Sequence, residues 1–262
     1  MRPEAVLLAS FGVADDAARK MSIDRLFDDL RETFAGSEMR QAFTSNFMRE
    51  CLAAKGIRMD SLDAALAALA EKGVRNVLVQ PTHLTRGEEY EKKICAAVGM
   101  ARSKFDRLAL GETLLGGEAD FAELLAALHA SVSAMEGHET VLLGHGSPHR
   151  HNPVYARFQS YMDKRNVPIH VGVLEENDMP DFSTVLHRLQ SRDVREIVLA
   201  PLLFSGGRHV TDDMAGDDKR SWKSRFEAEG IRVHAVCKGL GEHEAIRRIY
   251  VGKAQRAWRD VL

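Results

Sequence analysis

The 262-residue chain predicts an α/β protein of two similar lobes, each a parallel sheet flanked by helices, with a cleft between them. Three observations carry this. Short, continuous apolar runs alternate with amphipathic segments along the whole chain, the pattern of strands buried on both faces of a parallel sheet. A nine-residue motif recurs: Gly73-Val74-Arg75-Asn76-Val77-Leu78-Val79-Gln80-Pro81 is echoed by Asp193-Val194-Arg195-Glu196-Ile197-Val198-Leu199-Ala200-Pro201. Gly87 then follows Pro81 at the spacing at which Gly207 follows Pro201. Finally, the run Ala5-Val6-Leu7-Leu8-Ala9-Ser10 returns as Thr140-Val141-Leu142-Leu143-Gly144-His145. A repeat of this length divides the chain into an N-terminal lobe over 1–115 and a C-terminal lobe over 116–262.

The expected strands of the first half lie near 5–10, 39–44, 77–80 and 107–111. Those of the second lie near 140–144, 169–174, 197–200 and 231–235. Helices fill the gaps. Residues 22–30 place apolar side chains at helical spacing behind a serine cap. Residues 61–72 do the same and stop at Gly73, a good C-terminal residue for a helix. Asn152 followed by Pro153 is a cap and a first-position proline, opening a helix through Tyr161. Residues 120–135, in the 111–139 crossover between lobes, and 241–262 are the other long candidates. Four β-α units per half predict two open parallel sheets.

Composition bounds the function. Apolar residues make up 45% of the chain and charged residues 28%, with a formal net charge of −2. No global basic field collects nucleic acid, so an anionic ligand must meet local basic residues. No apolar run approaches a membrane span and no secretory h-region opens the sequence, so a cytoplasmic protein without membrane contact is expected. The three cysteines are isolated and form no Cys-x-x-Cys pair, which argues against a zinc knuckle or a disulfide framework. There is no Gly-x4-Gly-Lys-Ser/Thr loop, no third glycine after Gly239-Leu240-Gly241, and no second histidine after His243-Glu244, so no nucleotide is expected.

Ligands of open α/β sheets bind outside the carboxyl ends of the strands. Three reactive side chains fall there in the second half: His145 within Gly144-His145-Gly146-Ser147-Pro148-His149-Arg150-His151, Glu175 after the next strand, and His209 after Phe204-Ser205-Gly206-Gly207-Arg208. Each has a plainer reading, as a backbone-satisfied strand-end histidine, a solvated glutamate, or a residue beside turn glycines. Together, two imidazoles and a carboxylate suit a first-row divalent metal and leave coordination positions open. In the first half Ser10 and Glu89 stand where the repeat puts His145 and His209. Arg208, Arg86 and the His149–His151 stretch are candidates to pair with the carboxylates of a polyanionic ligand, the plainer reading being solvated loop charge. The run from Asp212 to Arg220 reads as a helix start with a solvated face.

On these residues the chain resembles the anaerobic, ATP-independent cobalt chelatases of the CbiK type. The resemblance rests on Leu142-Leu143-Gly144-His145-Gly146-Ser147, the strand ending at Glu175, Gly207-Arg208-His209 through Asp213-Met214-Ala215-Gly216-Asp217, Ser221-Trp222-Lys223, and Gly87-Glu88-Glu89-Tyr90. It implies a chelatase-like fold and a lyase that inserts Co²⁺ into sirohydrochlorin for cobalamin biosynthesis, with metal and catalytic roles for His145, Glu175 and His209. The candidates for contact with the substrate are Arg208, Arg86, Glu89, His149 and Ser10. The metal is a substrate, with Fe²⁺ or Ni²⁺ as alternatives in its place, and a homo-oligomer is compatible with the sequence. A ferrochelatase making sirohaem and a non-catalytic tetrapyrrole or metal carrier are the competing readings. Arg208 departs from the family pattern, in which the residue before the second histidine is often acidic.

Overall fold

A computed structural model describes residues 2–147 and 152–259 of the chain. The elements run β1 (Ala5–Ser10), α1 (Asp16–Met21), α2 (Ile23–Thr33), β2 (Glu38–Phe43), α3 (Asn46–Ala53), α4 (Leu62–Glu71), β3 (Asn76–Pro81), α5 (Ala96–Ala101), β4 (Arg107–Leu110), α6 (Glu118–Ser131), β5 (Thr140–Gly144), α7 (Pro153–Asp163), β6 (Ile169–Val173), α8 (Phe182–Ser191), β7 (Glu196–Pro201), α9 (Trp222–Ala228), β8 (Arg232–Ala235) and α10 (Glu244–Arg259). The strands form two parallel sheets of identical order, β2-β1-β3-β4 and β6-β5-β7-β8. The two sheets are thus copies of one topology, as the repeated motif predicts. Among the described residues no helix is long and apolar enough to cross a membrane.

Local chemistry sets the helix ends. Ser61 Oγ accepts from Ala64 N at 3.2 Å to cap α4, and Gly73 ends it with φ +79°. Asn152 Oδ1 accepts from Val154 N ahead of Pro153 at the start of α7. In the first sheet Leu7, Val77 and Val79 pack with Leu62, Leu66, Leu69 and Ile94 on one face. Their alternates Val6, Leu8 and Leu78 are equally buried, so the sheet is covered on both sides. In the second sheet Val141, Leu143, Ile197 and Leu199 pack with Val185, Leu189 and Phe226.

The chain forms two compact units, Met1–Gly116 with Ile246–Leu262, and Gly117–Ala245. The sequence reading kept 116–262 in one lobe; here the C-terminal helix groups with the first unit instead. The reason lies in its side chains. Tyr250 Oη donates to Thr82 O at 2.9 Å, Arg247 Nε donates to Asp29 at 2.6 Å, and the Arg107 guanidinium lies 3.7 Å over the Trp258 ring.

Backbone hydrogen bonds align the two copies residue by residue. Thr44 N donates to Ser10 O and Ser45 N to Phe11 O; in the second unit Leu174 N donates to Gly144 O and Glu175 N to His145 O. Thr82 N donates to Ala9 O as Leu202 N does to Leu143 O. Phe11 is therefore the counterpart of His145, and the pairing of Ser10 with His145 read from the sequence is one residue out of step. Gly12 and Gly146 confirm the alignment, since both turn the chain with positive φ, +106° and +82°.

After β3 the copies diverge at His83, whose counterpart is Leu203: Leu114 N donates to His83 O as Leu240 N does to Leu203 O. Part of the His83 residue reaches solvent, but both ring nitrogens are buried and find no hydrogen-bond partner among the described residues. Burial therefore pushes its pKa down to about 4 from 6.5. Between these values the unfolded chain binds the proton and the folded one does not, so stability falls as pH drops from 6.5 towards 4. The loss is at most about 3.4 kcal/mol. His83→Leu, which copies the second unit, is expected to flatten the dependence of the denaturation midpoint on pH across that window. A slope equal to that of wild type would show that His83 protonates as readily folded as unfolded.

Candidate functional site

The second unit gathers reactive groups at the carboxyl ends of β5, β6 and β7. His145 is the first residue beyond β5. The Glu175 N to His145 O bond of 2.9 Å extends the β5–β6 pairing past the strand ends and sets their side chains side by side. His145 Nδ1 stands 3.5 Å from Glu175 Oε1 and 3.3 Å from Gly146 O. The flanking glycines are required here. A Cβ on Gly144 would lie 2.5 Å from the Tyr155 ring, and one on Gly146 would lie 3.0 Å from Val173 Cβ and 3.1 Å from Glu175 Cβ.

His209 opens a π-helical turn, His209–Met214, after β7. The first unit carries the same device at Tyr90–Cys95, and such turns recur at functional sites. The His145 and His209 rings meet edge to face with centroids 4.7 Å apart. Burial, then the neighbouring His209, lower the pKa of His145, so its imidazole is neutral and able to ligate near neutral pH.

Asp213, which on sequence alone belongs to a solvated helix start, is a member of this group. His209 Nδ1 lies 2.7 Å from Asp213 Oδ2. A carboxylate accepts only, so Nδ1 carries the proton and Nε2 keeps its lone pair. The pair is four residues apart, which on sequence alone is the ordinary spacing of a charged helix face. Buried Asp178 was missed as well. Its carboxylate accepts from Ser147 N at 2.9 Å and Asn152 N at 3.3 Å, tying the two residues that flank 148–151. Among the described residues, no set of three or more His, Cys, Asp or Glu side chains is already drawn together as a metal cage.

The remaining candidates are scattered. Arg208 is 91% exposed and donates to Asp212 at 3.0 Å within one turn. Its first-unit counterpart is Glu88, and that of His209 is Glu89, which accepts from Thr44 Oγ1 at 2.7 Å. Arg86 is exposed, 3.9 Å from Glu112. Ser10 is 1% exposed at the end of β1, so its hydroxyl does not reach the surface. His149, with Arg150 and His151, lies outside the described residues.

A family model described as cobalt chelatase (CbiK) matches residues 4–259. The sirohydrochlorin cobaltochelatase of Salmonella typhimurium is 34% identical over 256 residues, 97% of this chain and 96% of that protein. The sirohydrochlorin cobaltochelatase CbiKC of Nitratidesulfovibrio vulgaris is 34% identical over 255 residues, 96% of this chain and 89% of that protein. Among solved structures, SirB from Bacillus subtilis with Fe3+ has a TM-score of 0.67 at 13% identity and covers 100% of this chain and 97% of its own, a likeness of fold.

The geometry makes a direct prediction for solution. Long-range ¹H–¹⁵N spectra are expected to show His209 as the Nδ1–H tautomer, and Asp213→Ala to abolish that preference. An Nε2–H tautomer for His209 in the unaltered protein would contradict the arrangement.

Proposed function

The chain belongs to the cobalt chelatase (CbiK) family, and on that premise we propose that it inserts Co²⁺ into sirohydrochlorin without ATP, in the cytoplasm, as a step of anaerobic cobalamin biosynthesis. The observation that supports it at the level of residues is the meeting of two imidazoles, His145 and His209, beside Glu175 on one sheet rim.

In this reading His145 and His209 take the incoming metal and Glu175 adds a negative charge that lowers the cost of holding a dication. His145 contributes as a neutral donor because its burial and then the neighbouring His209 both disfavour protonation. Asp213 keeps the Nε2 lone pair of His209 free for the ion. Metal insertion displaces two pyrrole protons; Glu175, as a carboxylate at the partly exposed site, accepts one, and solvent water takes the other. The metal must leave with the product, so an open, partly exposed donor set serves better than a closed cage.

The macrocycle brings many carboxylates. Arg208 offers a planar fork for one of them, and its present partner Asp212 is a surface residue four positions on, a weak contact that is readily exchanged. Arg86, Glu89 and His149 are the weaker substrate candidates. Ser10 would serve only through a change that exposes it.

The test is anaerobic insertion with sirohydrochlorin and Co²⁺, without nucleotide, followed by the loss of the metal-free macrocycle spectrum. Turnover is expected with the unaltered protein and none with His145→Ala combined with His209→Ala. Asp213→Ala is expected to lose roughly 10–100-fold in activity. Arg208→Ala is expected to raise the KM for sirohydrochlorin while leaving that for Co²⁺ unchanged. Undiminished turnover in the double variant would overturn the assignment of the site, and faster insertion of Fe²⁺ or Ni²⁺ than of Co²⁺ would overturn the choice of metal.

A further inference from the structure

The second sheet carries metal-ligating side chains at its other end as well. β7 and β8 pair with Glu196 opposite Arg232 and Val198 opposite His234, and β5 and β7 pair with Thr140 opposite Val198. Residues two apart along a strand share a face. Ile197, Leu199 and Val233 pack in the core, so Glu196, Arg232 and His234 point to the opposite face. β8 is an edge strand, and Arg232 and His234 stand in solvent there. Exposed His138 arrives on the same corner from the turn before β5, where its N donates to Met135 O at 3.3 Å. His234 Nε2 lies 2.5 Å from Glu196 Oε1, and the His138 and His234 ring centroids are 6.5 Å apart with planes inclined at 59°. The Glu196 carboxyl is held below the usual carboxylate range, first by the bond to His234 and then by the nearby Arg232 and the two histidines.

A glutamate with one histidine and one arginine is an ordinary surface ion pair, and the second imidazole is not needed for it. An ion held at roughly 2.0–2.1 Å by one nitrogen of each of two imidazoles leaves their centroids about 5–6.5 Å apart. We propose that His138, Glu196 and His234 form a second site for a first-row divalent cation, Zn²⁺ above others, at the amino end of the second sheet. The site does not depend on the tetrapyrrole reading. Its donors are not yet closed around one point. They lie at the surface, so rotation of three side chains closes them without moving a strand. Arg232 Nη1, now 3.3 Å from Glu196 Oε2, is 73% exposed and returns to water. Its charge opposes an ion, which makes this site weaker than the histidine rim, and the usual order of divalent affinities places Co²⁺ below Zn²⁺ here. A lone equivalent of Co²⁺ accordingly fills the rim first. An ion at the second site joins β5, β7 and the edge strand β8, and stabilises the second unit by mass action.

The test is Zn²⁺ binding near neutral pH to the full chain carrying His145→Ala and His209→Ala, which removes the rim imidazoles. One equivalent is expected to bind, and the thermal midpoint to rise with Zn²⁺ concentration. Adding His234→Ala or His138→Ala is expected to abolish both effects. Loss of a ligand's outer partner already costs about 10–100-fold in metal affinity, and Glu196→Gln is expected to raise the Kd at least that much. Arg232→Ala is expected to tighten binding several-fold, because it removes the opposing charge. In the unaltered protein, Zn²⁺ is expected to shift the ring ¹⁵N resonances of His138 and His234 together, a readout that holds even if the rim variant fails to fold. No uptake by a folded rim variant, the same uptake after His234→Ala, or a shift of one ring without the other would overturn the site.

Discussion

The candidate site depends on one backbone hydrogen bond, Glu175 N to His145 O. Parallel strands buried on both faces favour apolar side chains along their length, so ligand chemistry gathers at the rim. The bond carries the β5–β6 pairing beyond that limit. It sets an imidazole and a carboxylate next to each other where the backbone has just left the core. Gly144 and Gly146 leave room for it, because a side chain on either would strike Tyr155, Val173 or Glu175. The His209 turn then adds the second imidazole, oriented by Asp213.

The same bond in the first unit, Ser45 N to Phe11 O, joins two residues with no capacity to hold a metal. At the rim the copies differ in the groups that bear on the site: Phe11 for His145, Ser45 for Glu175, Glu88 for Arg208, Glu89 for His209, Lys93 for Asp213 and His83 for Leu203. The strand order is conserved between the copies because it is set by the core. Side chains at the rim contribute little to that core, so they were free to diverge.

The eight strands and helices α2, α4, α6, α7 and α10 were legible in the sequence, since apolar runs and capped amphipathic stretches report burial directly; α8, at ten residues, was not read. Short helices such as α3 and α9 were not, because six to eight residues give too few turns for a period to show. The repeat itself was legible, but its register was not. Val6-Leu7-Leu8 matches Val141-Leu142-Leu143 by composition, whereas the hydrogen bonds match Leu7 to Val141, and that one step hid Phe11. The C-terminal helix looked like the end of the second lobe because sequence order cannot reveal that Tyr250 reaches back to Thr82. His145, Glu175 and His209 were singled out as candidates by counting strand ends. Asp213 and Asp178 were not, since their roles are contacts across a turn and between loops that no spacing encodes.

The central claim is that the two histidines share one metal. It is tested most directly by cobalt X-ray absorption on the full chain loaded with a single equivalent of Co²⁺ and no macrocycle. The account predicts scattering from two imidazoles in the unaltered protein and from one in His209→Ala, with the remaining donors oxygen. Identical spectra for the unaltered protein and the variant lacking both His145 and His209 would contradict it.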